Sequence, residues 1–442
     1  MQKVDKIKAA GVVGAGGAGF PTHVKLNTKA EVVIVNGAEC EPLLRVDQTL
    51  MDQNAQELVE ALQVVMEITE APRGVICLKG KYKSAVSRLQ AIAKDISNVE
   101  VKIIRDYYPA GDEQQLIFEV TGRVIPVGGL PMEVGAVVHN VGTLLNIRDA
   151  VQDKPVTHKY VTITGAVSSP MTCYTPIGTN LGELLERAGA PKDRENYALI
   201  LGGPMMGAVS HDWDTPVTKT TGGVIVLPKE HKLITNKELS MQRELRLAKA
   251  VCCQCNRCTQ MCPRNDLGLG TSPNKVMVAL ATGQISAMGK VESIFSCCGC
   301  DLCTQYACDM GLSPGKVMTF VKTSLQKEGI RPEKIIPNTV NTNREYKLIP
   351  TKRLIKKLGL YEYDRPAPMQ EGIHDADEVK IPLKQHIGAP SEAVVKSGDL
   401  VQVGDLLGRI PEKSLGANIH ASISGVVGEV TKDYVIIVKD RV

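Results

Sequence analysis

The residues best placed to do chemistry in this chain are cysteines. Between Cys252 and Cys308 it reads C-C-Q-C-N-R-C-T-Q-M-C-P and then C-C-G-C-D-L-C-T-Q-Y-A-C. Cys252, Cys255, Cys258 and Cys262 form C-x2-C-x2-C-x3-C-P, and Cys297, Cys300, Cys303 and Cys308 form C-x2-C-x2-C-x4-C. Gaps of two residues let a turning backbone aim three sulfurs at one face of a cubane, while a fourth thiolate arrives from farther away. The pattern therefore predicts two 4Fe-4S clusters. Structural zinc, the alternative of a non-enzymatic scaffold, uses pairs of C-x2-C and does not need a triple run with a remote fourth cysteine.

In two-cluster ferredoxins the last cysteine of each run serves the other cluster. On that rule Cys252, Cys255, Cys258 and Cys308 hold one cluster, and Cys262, Cys297, Cys300 and Cys303 hold the other. Cys253 and Cys298 each follow a first ligand directly, where adjacent side chains diverge, so packing is their expected role.

The 442 residues allow three or four domains with real cores. Lys and Arg exceed Asp and Glu only by 52 to 48, and aromatics are 4% of the chain, so nothing supports nucleic-acid binding. Eight of the 13 cysteines fall in the cluster pattern, which fits a reducing compartment. No apolar run approaches the roughly 18 residues of a transmembrane segment, and Met1-Gln2-Lys3-Val4-Asp5 lacks the apolar region of a signal peptide. A soluble, cytoplasmic protein is the expectation.

Such clusters need an electron source, and the N-terminal third offers one. Gly14-Ala15-Gly16-Gly17-Ala18-Gly19 contains G-x-G-x-x-G. The first clear strand, Glu31 to Asn36, comes after these glycines, so the loop is not a dinucleotide strand-to-helix turn. It reads instead as a loop laid over a nucleotide by close backbone approach. Downstream the apolar spacing predicts a helix over 47–69, a strand over 74–78, a helix over 82–96 and a strand over 99–104. That alternation makes an open parallel sheet. Ligands of such sheets sit beyond the carboxyl ends of the strands. Two segments qualify, Asn36-Gly37-Ala38-Glu39-Cys40-Glu41-Pro42 and Tyr108-Pro109-Ala110-Gly111-Asp112-Glu113-Gln114. Their carboxylates can accept from ribose hydroxyls or a flavin N–H, or be ordinary exposed acids. Cys40 is expected to be packed, and Cys77 to lie in the core.

The glycine loop with its following P-T-H-V-K-L, N-G-A-E-C-E-P, Y-P-A-G-D-E-Q-Q-L and His139-Asn140-Val141-Gly142-Thr143-Leu144 resemble the FMN- and NADH-binding subunit of respiratory complex I and the C subunit of the Rnf electron-transport complex. The resemblance implies that Gly14, Gly16, Gly17, Gly19 and Lys25 line FMN phosphate and ribityl, that Asn36 and Glu39 meet the flavin, and that Asn140 and Thr143 meet the phosphate end. It assigns Glu41 and Glu113 to the nicotinamide nucleotide as the catalytic acids. The complex I proteins have an arginine where this chain has Ala15, which matches the Rnf side better.

Farther on, a strand at Tyr160–Gly165, a helix over 181–188 capped by Thr179 and stopped by Gly189, and a strand at 198–201 suggest a β-grasp unit. It is similar to the soluble-ligand-binding β-grasp (SLBB) of the same families. It is read as an adaptor between flavin and clusters, with a corrinoid site as the alternative. Helices over about 237–251 and around Val276 to Leu280 make the cluster region helical. Prolines 332, 337, 350, 366 and 368 mark an extended crossing segment. Residues 375–442, short strands with the near-repeat Val394–Asp399 and Val401–Asp405, look like a barrel-sandwich domain of the biotinyl and lipoyl type. Ser422-Ile423-Ser424 stands where the acylated lysine would be, so it is read as a packing module.

The expected fold is multidomain α/β: an FMN/NADH-binding parallel-sheet domain over 1–150, a β-grasp domain over 151–230, a helical two-cluster ferredoxin domain over 231–326, a linker over 327–374 and a barrel-sandwich hybrid over 375–442. This order is similar to the cobalamin reductases of propanediol-utilisation microcompartments. That resemblance implies electron flow from NADH to FMN to two 4Fe-4S clusters to cob(III)alamin or cob(II)alamin, for an adenosyltransferase partner in a bacterial microcompartment. An Rnf-type protein feeding a membrane partner is the alternative.

Overall fold

The computed structural model describes residues 2–440. Four parallel strands form the first sheet, in the order Val99–Ile104, Arg73–Lys79, Val32–Gly37, Ala136–Asn140. Helices cover it, which is why Val32 to Val35 and Val75 to Leu78 are apolar without alternation and are all buried. The helical stretch expected over 47–69 is two helices, Val46–Gln53 and Ala55–Ile68. Asn54 leaves helical geometry between them, at φ −119° and ψ 37°. Asparagine competes poorly for helix interiors. The break loses little hydrogen bonding, because the Asn54 amide still reaches Leu50 O and its carbonyl still accepts from Leu58.

The second sheet runs Met369–Ile373, Met171–Pro176, His158–Gly165, Gly223–Pro228, Tyr197–Leu201, Ala208–Ser210. His158–Gly165 and Gly223–Pro228, the first strand of this unit and the last before the cysteines, lie parallel at its centre. The helix Leu181–Arg187 packs across it through Leu181, Leu184 and Leu185. This is a β-grasp. Its helix cap sits one residue later than the sequence suggests: Asn180 accepts from the Gly182 amide, while the Thr179 hydroxyl donates to Pro176 O.

The cysteine region is helical. Met241–Val251, Pro273–Thr282 and Pro314–Lys327 share a core of Ala248, Val276, Met277, Val317 and Met318. The stretch after it is more than an extended linker. Arg344 reaches back to Gln115 Oε1 at 2.6 Å and Glu119 Oε1 at 2.8 Å. The helix Thr351–Lys357 then buries Leu354 and Ile355, with Leu358 and Leu360, against Leu43, Tyr108, Ile200 and Leu302. Those four side chains contribute about 1.5–3 kcal/mol each by burial. The prolines obscured this helix, although Pro350 stands immediately before its first residue, where proline is tolerated.

The C-terminal strands form two small antiparallel sheets, one of four strands and one of three. The serine at the carrier position is docked: Ser422 is buried and its hydroxyl donates to Ile177 O in the β-grasp unit. That agrees with a packing module.

Candidate active site and cysteine centres

From the strand Val32–Gly37 the chain steps to one side for Arg73–Lys79 and Val99–Ile104, then crosses to the other side for Ala136–Asn140. The order reverses between Val32–Gly37 and Ala136–Asn140, and the crevice at such a switch point is where open sheets bind ligands. Asn36 and Asn140 are paired in register at its mouth. A cavity of about 650 Å³ opens there, lined by Gly16, Gly17, Asn36, Glu39, Glu41, Glu113 and Asn140 and, from the cysteine region, Cys298 and Cys300. That volume suits a cofactor.

The glycine loop shapes one wall. A Cβ on Gly16 would press on the Asn140 side chain, 2.7 Å from its Nδ2. The loop is held by Thr143 Oγ1, which accepts from the Ala15 amide at 2.8 Å, and by Lys159 Nζ, which donates to the Ala15 carbonyl at 2.8 Å. Thr143 thus supports the loop from behind. Gly14 closes the loop through its amide to Phe20 O, and Gly19 packs against Thr220 and His386; neither lines the cavity. Lys25 also stands outside the lining and pairs with Glu113 at 2.8 Å.

The acids divide their work. Asn36 Nδ2 donates to Gly111 O at 2.9 Å and joins the two loops of the site. Glu39, at φ 34°, accepts from the Asp47 amide at 2.7 Å and the Gln48 amide at 3.3 Å. Burial raises its pKa. Asp47, bonded by Asn140 Nδ2 at 2.7 Å, is pushed up to about 7, by burial first and by Glu39 second. Glu41 accepts from the Met205 and Met206 amides at 2.9 and 3.2 Å, and burial raises its pKa as well. Those amides come from the β-grasp unit. Its close approach requires Gly203, since a Cβ there would overlap the Glu41 carboxylate.

The cysteines separate into two groups. Cys252, Cys253, Cys255 and Cys258, with Cys308 of the second run, line a cavity of about 300 Å³ near the surface, with Met310 half-exposed on its rim. Cys262 of the first run lies within electrostatic reach of Cys297 and Cys300, and Cys303 within reach of Cys262 and Cys297 and, across the groups, of Cys258. Cys262, Cys300 and Cys303 are buried. Among the described residues no three His, Cys, Asp or Glu side chains converge on a single-ion position. The several thiols that line the outer cavity fit a polynuclear group. Burial pushes the Cys262 and Cys303 thiols up, and bound iron would supply the positive charge that makes such thiols ligate as thiolates. Cys253 is exposed, contrary to its expected packing role. Cys298 lines the large cavity beside Cys300 while packing against the core that contains Leu354. Cys40 is partly buried on that core, and Cys77 is in the core of the first sheet.

Asp47 and Lys159 were not legible as site residues: they are single charged residues outside any motif, and their importance comes from burial, which spacing does not reveal.

Comparison with known proteins matches this anatomy. Residues 7–149 match the Nuo51 FMN-binding domain, 160–209 the SLBB domain, 251–313 the 4Fe-4S dicluster domain and 366–440 the RnfC barrel sandwich hybrid domain. The cobalamin reductase PduS of Salmonella typhimurium is 42% identical over 98% of this chain and 96% of its own length. The chain belongs to that cobalamin reductase family. The Citrobacter freundii PduS is 41% identical over the same shares. A more distant relative is the C subunit of the proton-translocating ferredoxin:NAD(+) oxidoreductase complex of Clostridium ljungdahlii. It is 37% identical over 58% of this chain and 54% of its own. As a member of the reductase family, the protein is an oxidoreductase that joins an FMN domain to iron–sulfur chemistry. Among the described residues no helix is long and apolar enough to cross a membrane.

Proposed function

We propose that the chain is an NADH-dependent cobalamin reductase in which electrons pass from NADH through FMN and two 4Fe-4S clusters to a corrinoid. One observation carries the reading: a single cavity is lined by the glycine loop, Glu41 and Cys300. Hydride chemistry and one-electron chemistry therefore meet at one place. A flavin supplies the conversion from electron pairs to single electrons, which the clusters then carry.

The residues divide the remaining work. Gly16, Gly17, Asn36, Glu39 and Asn140 bind and orient the flavin; a Cβ on Gly17 would meet nothing within 4 Å, so its face is open to a ligand. Glu41 and Glu113 receive the nicotinamide nucleotide. Glu41 is fixed for this by two amides of the β-grasp unit. Cys262, Cys297, Cys300 and Cys303 hold the inner cluster, next to the cavity. Cys252, Cys255, Cys258 and Cys308 hold the outer one, where the exposed Cys255 and half-exposed Met310 let an acceptor approach. On this reading the reduced corrinoid serves an adenosyltransferase within a bacterial microcompartment. The full-length similarity to PduS supports the corrinoid over a membrane acceptor.

The test is anaerobic stopped-flow with NADH, with and without cob(III)alamin, following flavin, cluster and corrinoid absorbance together. The anaerobically purified protein should be brown, with about eight irons per chain. Clusters that reduce without passing electrons to the corrinoid would refute the acceptor.

A further inference from the structure

Arg264 follows the Cys262-Pro263 pair and turns its guanidinium toward the flavin-side loop. It meets Asp112 Oδ1 at 2.5 Å, with side chains only 14% and 10% exposed. Asp112 stands at the N-cap of the helix Glu113–Thr121, yet it gives that helix no side-chain cap. Its carboxylate is committed to Arg264 instead. Arg264 also lies beside the cysteines: it is two residues from Cys262, and its charge reaches Cys297 and Cys298. Asp112 lines the large cavity. Each partner keeps one buried polar atom without a hydrogen bond, Asp112 Oδ2 and Arg264 Nε. Native structures rarely leave such atoms orphaned. Nearby, Gln115 Nε2 donates to Pro263 O at 3.0 Å and clamps the same two segments together.

We propose that Arg264 is a positioning residue that sets the reduction potential of the inner cluster, and that Asp112 is the counter-charge that limits its effect. The inference rests on the two-cluster reading above. A cluster gains one negative charge on reduction, and a fixed guanidinium in a low-dielectric setting favours that charge. Arg264 thereby draws electrons from the flavin side into the inner cluster. Asp112, between the cavity and the guanidinium, works in the opposite sense. The signs are what separate this role from a structural one: losing the cation lowers the potential, and losing the anion raises it.

The experiment is an EPR-monitored redox titration of the full chain with flavin and clusters bound, comparing wild type with Arg264→Gln, Arg264→Lys and Asp112→Asn. Iron and flavin contents are measured alongside, and the inner signal is the one missing in Cys300→Ser. The inner midpoint should fall in Arg264→Gln, rise in Asp112→Asn and stay near wild type in Arg264→Lys, while the outer midpoint does not move. If Arg264→Gln does not accumulate, Asp112→Asn still decides by its sign. The inference is overturned if the inner midpoint stays put, if both clusters shift together, or if Asp112→Asn shifts it downward. A wild type with a single cluster signal overturns the two-cluster reading, and this inference with it; two wild-type signals that ignore the variants overturn the inference alone.

Discussion

The Tyr108 hydroxyl lies 2.9 Å from the carbonyl oxygen of Cys300. It is also 3.2 Å from Glu41 Oε1, so one phenol touches both the nucleotide-side acid and the inner cysteine run. Burial raises the Tyr108 pKa well above its ordinary value, which keeps the group a neutral donor. The acid and the cysteines are thus parts of one packed wall. Their roles still separate, because Glu41 can be changed without touching a thiol.

Glu41→Ala should lower kcat/KM for NADH roughly ten- to hundredfold, the kinetic equivalent of losing charge-assisted hydrogen bonds worth about 1.5–3 kcal/mol. Iron content should stay at the wild-type value, because the carboxylate bonds to Tyr108 and to the Met205 and Met206 amides, and to no thiol of either group. Steady-state NADH oxidation with an artificial acceptor, together with iron analysis, measures both. Loss of iron in this variant would count against the assignment of Glu41 to the nucleotide.

The two cysteine groups should fail differently. Cys300→Ser removes an inner ligand beside the cavity, so NADH should still bleach the flavin while corrinoid reduction falls to background. Cys255→Ser removes an exposed outer ligand, and NADH should then reduce both flavin and inner cluster with no onward transfer to corrinoid. Each variant should lose up to about four irons. Rapid-mix absorbance and low-temperature EPR distinguish the two patterns. Identical behaviour of the variants would contradict an inner and an outer cluster in series.

How far the sequence reached can be read from particular residues. The parallel sheet was legible because Val32 to Val35 and Val75 to Leu78 are continuous apolar runs, which only strands covered on both faces tolerate. The cysteine groups were legible because ligand spacing is a local constraint. The helix Thr351–Lys357 was missed because five prolines around it outweighed a short Leu354, Ile355, Leu358 pattern. Lys159 and Arg264 were missed for a different reason. Their roles depend on contacts 144 and 152 residues away, with Ala15 and Asp112, and no local periodicity encodes those. Lys25 and Thr143 come from motif resemblance, and neither lines the cavity: Lys25 pairs with Glu113, and Thr143 accepts from the Ala15 amide.

Ser422 tests whether the C-terminal domain is a carrier or a brace. Ser422→Ala should cost about 1 kcal/mol, the net value of one intramolecular hydrogen bond, by freeing Ile177 O. Ser422→Lys should cost more, since it buries an ammonium at a site that is 1% exposed. Neither change should alter the reactions of flavin or clusters, and the lysine should not acquire an acyl group. Thermal unfolding and intact mass measure these outcomes.

Lys219 gives a pH signature of the same packing. It is 2% exposed, and its amine donates to Gly11 O and Asn418 O, both at 2.7 Å, joining the flavin and barrel-sandwich regions through the β-grasp unit. Burial holds its pKa down to about 7 from 10.5. Between those values the unfolded chain binds the proton and the folded chain does not, so stability rises with pH across the window and is lost as pH falls through it. His386 and His420 face the amine but are held down to about 4 and about 3, so they stay neutral throughout. Lys159, held down to about 8, adds its own slope only above that value. The thermal midpoint of wild type should therefore rise with pH between about 7 and 8, and Lys219→Met should remove that rise. Equal slopes for the two proteins in that interval would show that the Lys219 amine keeps its proton in the fold.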